Sequence, residues 1–358
     1  MCNKRSLRFS STAIAAVCLT LAFASTTIAQ TYTVTNIGTL GGNDSVALSI
    51  NDYGEVVGYS KTAEGEIHAF RYFRDAIFDL STLGGKDSYA YVITNSGILL
   101  GDARTPDGGL HPFTGSPNSP LFNLGGKAHL FSSARGANNV GQVVGFKLIT
   151  DEHGQLHKRA YLYTTNRTID LGTFGGKQSD AVAINDAGEV VGHLYTQYHD
   201  GPKRAVLYQT GKVVELGTFG GNVSIGVAIN AVGQVAGYAT LPGGDQRAFL
   251  FAHGKMKNLG TLPGGTQSFA YGLDDRGRVV GASDAKDSAL RAVIYSDGVI
   301  QDLNKLIPAD SGWTLTEAKA INESGQIVGY GFFDGERRAF LLTPVKTNGA
   351  VKTIAKRN

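Results

Sequence analysis

Residues 171–192 read LGTFGGKQSDAVAINDAGEVVG, and residues 216–237 read LGTFGGNVSIGVAINAVGQVAG. Aligning the chain on the glycine of NDAG finds seven copies of this phrase, at Gly54, Gly97, Gly141, Gly188, Gly233, Gly277 and Gly325. A second glycine follows four residues later in every copy, from Gly58 to Gly329. Nine residues before the first glycine stands a hydroxyl: Ser45, Ser88, Ser132, Ser179, Ser224, Ser268 and Thr316. Seven residues before it the side chain is always tiny, Ala47 and its equivalents, with Gly226 in the fifth copy. A repeat of roughly 45 residues marks a solenoid, an array or a propeller.

Each copy reads as four strands. SDAVAIN alternates small and larger residues with the period of a strand. NDAG supplies a turn, because Asn or Asp bonds its own backbone and glycine accepts a positive φ. EVVG is a short buried strand, RAFLF a third and KNLGTL a fourth. No segment keeps a helical period. The expectation is an all-β, seven-bladed β-propeller of four-stranded blades. The chain opens with YTVTNIGTLGG, which matches a fourth strand, and closes with RRAFLLTP, a third strand with none after it. The N-terminal strand at 32–38 is therefore expected to complete the last blade and abolish free sheet edges. The tiny residues allow neighbouring blades to approach, while Ile184 and Leu273 pack against the next blade.

The stretch LGTLGGNDSVALSINDYGEVVGYS followed by HAF, and the closing SGWTLTEAKAINESGQIVGYG with RRAFLLTP, resemble the HAF-repeat family of bacterial extracellular repeat proteins. The resemblance covers about residues 32–344. It implies an exported bacterial protein with a propeller-like fold, and brings no catalytic residue and no substrate. Departures are His111-Pro112-Phe113, the shortened NLGG at 123–126, and Val206 and Val293 in place of the Phe.

The ends set the domain limits. Lys4, Arg5 and Arg8 precede the apolar run STAIAAVCLTLAFA and small residues before Gln30, so residues 1–29 read as a secretory signal peptide. The propeller spans 30–345, and 346–358 is expected to be a basic disordered tail. Both cysteines, Cys2 and Cys18, fall in the leader, which removes disulfides, thiol nucleophiles and thiolate metal sites from the rest. The formal charge of +3 equals the leader's contribution, so the remainder is near neutral and does not read as a nucleic-acid binder. No second long apolar run exists, so no membrane span is expected. The protein is placed outside the cytoplasm, secreted or periplasmic, as a monomer.

Two series of residues look functional. A basic residue opens every third strand: His68, His111, Arg159, Arg204, Arg247, Arg291 and Arg338. Eleven residues on, or twelve in the second copy, stands Asp79, Asn123, Asp170, Glu215, Asn258 or Asp302. Constant separation in a hairpin places such pairs opposite one another, so they read as structural rungs. Arg159–Asp170, Arg204–Glu215 and Arg291–Asp302 are the clearest, and ring closure would pair Arg338 with Asn36. The alternative is a positive ring for an acidic ligand. The hydroxyl series likewise bonds local backbone or lines a polar site.

Catalytic motifs are lacking. GGK at 84–86, 125–127 and 175–177 lacks the spacing and helix of a phosphate loop. No Gly-x-Ser-x-Gly occurs, and HGQLH at 153–157 is a poor zinc helix.

Function is expected where the copies differ. The longest loops, FKLITDEHGQLHKR at 146–159 and HLYTQYHDGPKR at 193–204, belong to blades three and four and should emerge on one face. They carry Asp151, His153, His157, His193, Tyr195, Tyr198, His199 and Asp200, with His129 in the adjacent crossing. These are the candidate ligand-binding residues. His153, His157 and His199 are the candidate metal ligands, and solvated polar loops the plainer reading. Trp313, in the irregular NKLIPADSGW, is either a latch on the closing blade or a platform for a sugar. The functional expectation is an exported binding module for a glycan or protein outside the cytoplasm, with no cofactor. A lyase- or glycosidase-like enzyme in the central funnel and a purely structural surface protein are the alternatives.

Overall fold

The computed structural model describes residues 30–117, 119–124, 132–164, 167–198 and 201–345. The leader, the tail, His129, His199 and Asp200 lie outside these residues. The chain forms seven four-stranded antiparallel sheets, six of them ordered as in sequence. The seventh joins Trp313–Ile321, Ile327–Phe333 and Glu336–Pro344 to the N-terminal strand Tyr32–Gly38. Tyr32 lies opposite Pro344, and Asn36 opposite Phe340. The fold is a seven-bladed β-propeller closed by its own first strand.

The two repeated glycines have different causes. Gly54 and its equivalents end the first hairpin at positive φ, +79° at Gly54, where an L side chain is strained. Gly58 and its equivalents face a carbonyl instead. The inner strand bulges after its tiny residue, between Ala47 and Ser49 in blade one. That bulge drives the Val46 carbonyl to where a Gly58 Cβ would be, and every copy repeats the clash.

The hydroxyl series fastens one blade to the one before it. Ser88 Oγ donates to the Ser81 carbonyl at 2.5 Å and accepts the Ala69 N–H at 2.8 Å. Ser179 does the same with Gly172 (2.6 Å) and Ala160 (2.8 Å). Ser45 does so across the closure, with Gly38 and Ala339. The partner is thus backbone, but of the preceding blade and the crossing that leaves it. In the last copy Asn304 takes over, exchanging two hydrogen bonds with the Leu315 backbone at 2.7 and 2.9 Å. This is why NKLIPADSGW can dispense with the Gly-Gly crossing.

Apolar side chains fill the gaps between blades. One cluster joins Val144 and Ala160 of blade three to Ala181, Ile184 and Val190 of blade four. Phe70, Phe113, Phe249 and Phe340, two residues beyond the basic series, are fully buried, and each contributes about 1.5–3 kcal/mol. Trp313 is half-buried, its ring 5.2 Å from Phe333 and 6.1 Å from Phe340.

The register corrects the rungs. The acidic or amide residue lies opposite the residue two beyond the basic one, as Asp79 opposite Phe70 and Asp170 opposite Tyr161. The pairs are diagonal. His68–Asp79 (2.8 Å), Arg159–Asp170 (3.2 Å) and Arg291–Asp302 (3.7 Å) meet. Among the described residues Arg204 and Glu215 form no ion pair. Arg338 and Asn36 share a blade, but the Arg338 guanidinium reaches Glu336 and the Asn43 carbonyl. Members of the second series instead cap the exit of the fourth strand with a side-chain oxygen. Asp79 accepts the Ser81 N–H (2.6 Å), Asp170 that of Gly172 (2.8 Å), Asn258 that of Gly260 (2.8 Å) and Asn36 that of Gly38 (2.9 Å).

Replacing Ser88 or Ser179 by Ala strands a buried N–H and removes an interblade tie. Each change should cost about 1–3 kcal/mol, read as a lowered urea midpoint. Asn304→Ala should cost a similar amount at the one junction that lacks the serine.

Candidate ligand site at the channel mouth

Antiparallel order sorts the connections onto two faces. The hairpins between strands one and two and between three and four lie on one face. The loops between strands two and three and the crossings between blades lie on the other. The inner strands surround a channel open toward both.

At the hairpin face the rim is occupied by its own hydrogen bonds. Asn322 donates to the Asn51 carbonyl (3.0 Å), Asn138 to that of Asn185 (2.9 Å), Asn185 to that of Asn230 (3.1 Å) and Asn230 to that of Asp274 (3.0 Å). A second circle runs through carboxylates. Glu323 N–H donates to Asp52 (2.9 Å), Asp275 N–H to Glu323 (2.8 Å) and Asn139 N–H to Asp186 (2.8 Å). Neighbouring acids Asp275, Asp274 and Asp52 add to burial in raising the Glu323 pKa. These acids take backbone donors from the preceding blade, so the rim is a structural clasp.

Toward the loop face the channel opens into a cavity of about 490 Å³ whose lining includes Leu48, Tyr91, Arg135, Val182, Val227, Tyr271 and Lys319. These occupy one position in the seven inner strands. Two residues earlier on each strand stand Val46, Tyr89, Ser133, Asp180, Ile225, Phe269 and Glu317. Directly across on the second strands lie Tyr59, Asp102, Phe146, His193, Tyr238, Ala282 and Tyr330. The scaffold is repeated at these positions but the side chains are not. One wall, from blades five to seven and blade one, is aromatic and aliphatic apart from Lys319, which is paired with Glu317. Blades two to four bring charge.

In that charged sector Asp180 and His193 face each other across blade four and are both buried. Burial raises the Asp180 carboxyl to about 6, against the pull of Arg135, Lys158 and Lys203. Burial, reinforced by Lys203, Lys158 and Arg135, lowers His193 to about 3. Among the described residues Asp180 Oδ1 and both ring nitrogens of His193 have no hydrogen-bond partner. On blade two, Asp102 is also pushed up by burial, opposed by Arg135; its Oδ2 accepts from Ser133 Oγ at 3.2 Å. Tyr161 and Tyr91 are raised by burial and by Asp102. Arg135 is exposed toward the channel between these groups.

The two long loops do meet. His157 packs its ring 4.6 Å from that of Tyr198, and with Asp151, Glu152, His153 and Gln155 they border one shallow depression. Asp151 spends its carboxylate on loop geometry, accepting from His153 N–H (2.9 Å), Gln155 N–H (2.8 Å) and His157 Nε2 (2.7 Å). Those bonds, His157 first, lower its pKa to about 2. His153 stands exposed beside Glu152. Among the described residues no three His, Cys, Asp or Glu groups converge as a metal site. His193 and Tyr195 belong to the buried wall rather than to the loop surface. Sequence reading missed Asp102, Arg135 and Asp180. Their signal was present: they sit where seven otherwise matching copies of the first and second strands disagree.

Residues 127–355 match the family described as "Protein of unknown function (DUF3466)". The chain belongs to this family. DUF3466 carries no assigned activity in that description, so the name leaves function open. No curated protein matches the chain. Among solved structures it is similar to the β-propeller domain of the Trilobed protease from Pyrococcus furiosus, at 9% identity and a TM-score of 0.53, covering 89% of this chain and 99% of that one. It is also similar to a puromycin-hydrolyzing peptidase of Mycobacterium tuberculosis, at 12% identity and a TM-score of 0.54, covering 88% and 51%. An acylaminoacyl peptidase of Pyrococcus horikoshii matches at 11% identity and a TM-score of 0.51, covering 85% and 53%. The chain spans about half the length of these two peptidases. At such identities the likeness is one of fold alone. The first is described by an open velcro topology, whereas this member of the DUF3466 family zips its first strand to its last blade.

Asp180 and His193 have opposite effects on stability as pH falls. Below the ordinary histidine value of about 6.5 only the unfolded chain gains a proton at His193, so stability is lost. Below about 6 the folded Asp180 protonates before its unfolded counterpart, so stability is regained. The two offset in the native chain. Asp180→Asn should therefore lose several degrees of Tm between about pH 7 and pH 4.5 relative to wild type, and His193→Gln should gain. Thermal melts across that range check both signs.

Proposed function

We propose that this protein is an exported binding module that takes a ligand, a glycan in preference to a protein, at the loop-face mouth of the channel. Residues 1–29 would direct export to the periplasm or the exterior, and the copies would be HAF-type repeats acting as a monomer. One observation carries the reading: buried Asp180 and His193, with Asp180 Oδ1 and both His193 ring nitrogens unpartnered among the described residues, stand beside an exposed Arg135 on a wall where the repeat pattern is broken. Buried polar groups without partners cost stability, and sites that tolerate this cost are commonly functional. The loop residues Asp151, His153, His157 and Tyr198 would form the outer lip; His199 and Asp200 lie outside the described residues. Trp313 packs on the closing blade and is not part of this site.

The experiment is a glycan and cell-wall-fragment array probed with the mature protein, followed by Arg135→Ala and Tyr198→Ala. Both variants should weaken a hit by about tenfold or more, the loss of one good contact, at unchanged Tm. Hits unaffected by either variant would place binding elsewhere and sink this reading.

A second reading, catalysis in the channel, is favoured by one feature: Asp102 and Asp180 are two carboxyls near one cation, both with raised pKa. Mass spectrometry of a bound glycan after prolonged incubation separates the two. Intact ligand marks a binder, and shortened or unsaturated products an enzyme.

A further inference from the structure

We infer that the ligand is an acidic glycan, an oligosaccharide bearing carboxylates, with the charged wall of blades three and four holding its acid groups. This rests on the reading of the channel mouth as a ligand site.

Four cations stand in that sector on aromatic faces. The Arg135 guanidinium lies 5.6 Å from the Phe146 ring centre, and Lys158 Nζ 5.0 Å from it. Lys203 Nζ is 5.1 Å from the Tyr195 ring, and Lys177 Nζ 5.6 Å from that of Tyr198. Among the described residues none of the four forms an ion pair. Across the channel the cations are neutralised: Lys319 is paired with Glu317, and Arg337 with Asp44 at 2.6 Å. The two walls therefore differ in unspent positive charge: among the described residues, four cations without an ion pair gather in the sector of blades three and four.

The same sector also holds the buried carboxyl groups of Asp102 and Asp180. A ligand must bring acceptors for the cations without crowding further negative charge against these carboxyls. A phosphodiester backbone brings charge at every step and would face Asp102 and Asp180. A sugar chain brings hydroxyls, which donate and accept, and a uronate adds the carboxylate. The partly open rings Tyr59, Tyr89, Tyr91, Tyr238, Tyr271 and Tyr330 then suit the C–H faces of pyranose rings.

The test is calorimetric titration of the mature protein with oligogalacturonate and oligomannuronate, each as free acid and as full methyl ester. Polyglutamate and a single-stranded oligonucleotide are run beside them. At least one free acid should bind about tenfold or more tighter than its ester, and high salt should weaken it. Lys158→Gln with Lys203→Gln should weaken it by about tenfold or more, while Lys255→Gln with Lys257→Gln, exposed on the outer strand of blade five, should not. Circular dichroism confirms that both variants fold. Equal binding of acid and ester overturns the charge selection and leaves a glycan site standing. Preference for polyglutamate or the oligonucleotide overturns the glycan class. If no uronate binds while other array glycans do, the inference fails and the binding-module reading survives. If nothing on the array binds, both fail.

Discussion

The pairing of Tyr32–Gly38 with Glu336–Pro344 is the constraint on which the rest depends. Six blades joined by sequence-local hairpins could stack as an open arc. When the first strand becomes the fourth strand of the last blade, the arc is fastened into a ring in which every sheet has two neighbours around a central channel. The closure is not left to one ladder. Across the same seam Ser45 fastens to Ala339 and Gly38, and Asn322 and Glu323 fasten to Asn51 and Asp52. Those contacts copy the ones at other junctions, so the seam is held by the general blade-to-blade device together with a strand pairing that spans the chain.

That device explains why the repeat is strict where it is strict. The serine must be small enough to sit in the interblade gap and must offer a donor and an acceptor at once. The alanine two residues on must yield to the neighbouring sheet. The glycine opposite must admit a carbonyl displaced by the bulge. Each is a requirement of close approach, which is why the positions carry no information about ligands. At Thr316 the hydroxyl is retained, and the crossing is tied to the incoming strand by a different side chain, Asn304, which bonds the Leu315 backbone.

With the scaffold satisfied, the channel-facing positions are left free to vary. They divide into an aromatic wall whose cations are paired and an ionic wall whose cations are not. The buried Asp180 and His193 run against the preference of both groups for water, and nothing in the interblade packing calls for them. A repeat fold can carry such a sector because the cost is confined to one of seven junctions, while the remaining six are built from the same apolar and backbone contacts.

The sequence by itself determined the all-β class, seven blades, the place of each strand and the closing role of residues 32–38. Those follow from periodicity, from turn glycines and from a missing fourth strand, all of which are local or counted along the chain. Tertiary structure alone decided the partners. The serine series bonds the preceding blade, the second polar series caps strand exits, and the rungs are diagonal, because register and bulges shift which residues meet. It also decided where the site candidates fall. The long loops stand out in sequence by length and polarity, yet much of their charge is spent on their own turns, as with Asp151. Asp102 and Asp180 sit in short strands, Arg135 occupies the bulge that every inner strand carries, and all three are ordinary to look at. Their significance comes from burial and from convergence across blades two, three and four, which no single repeat contains.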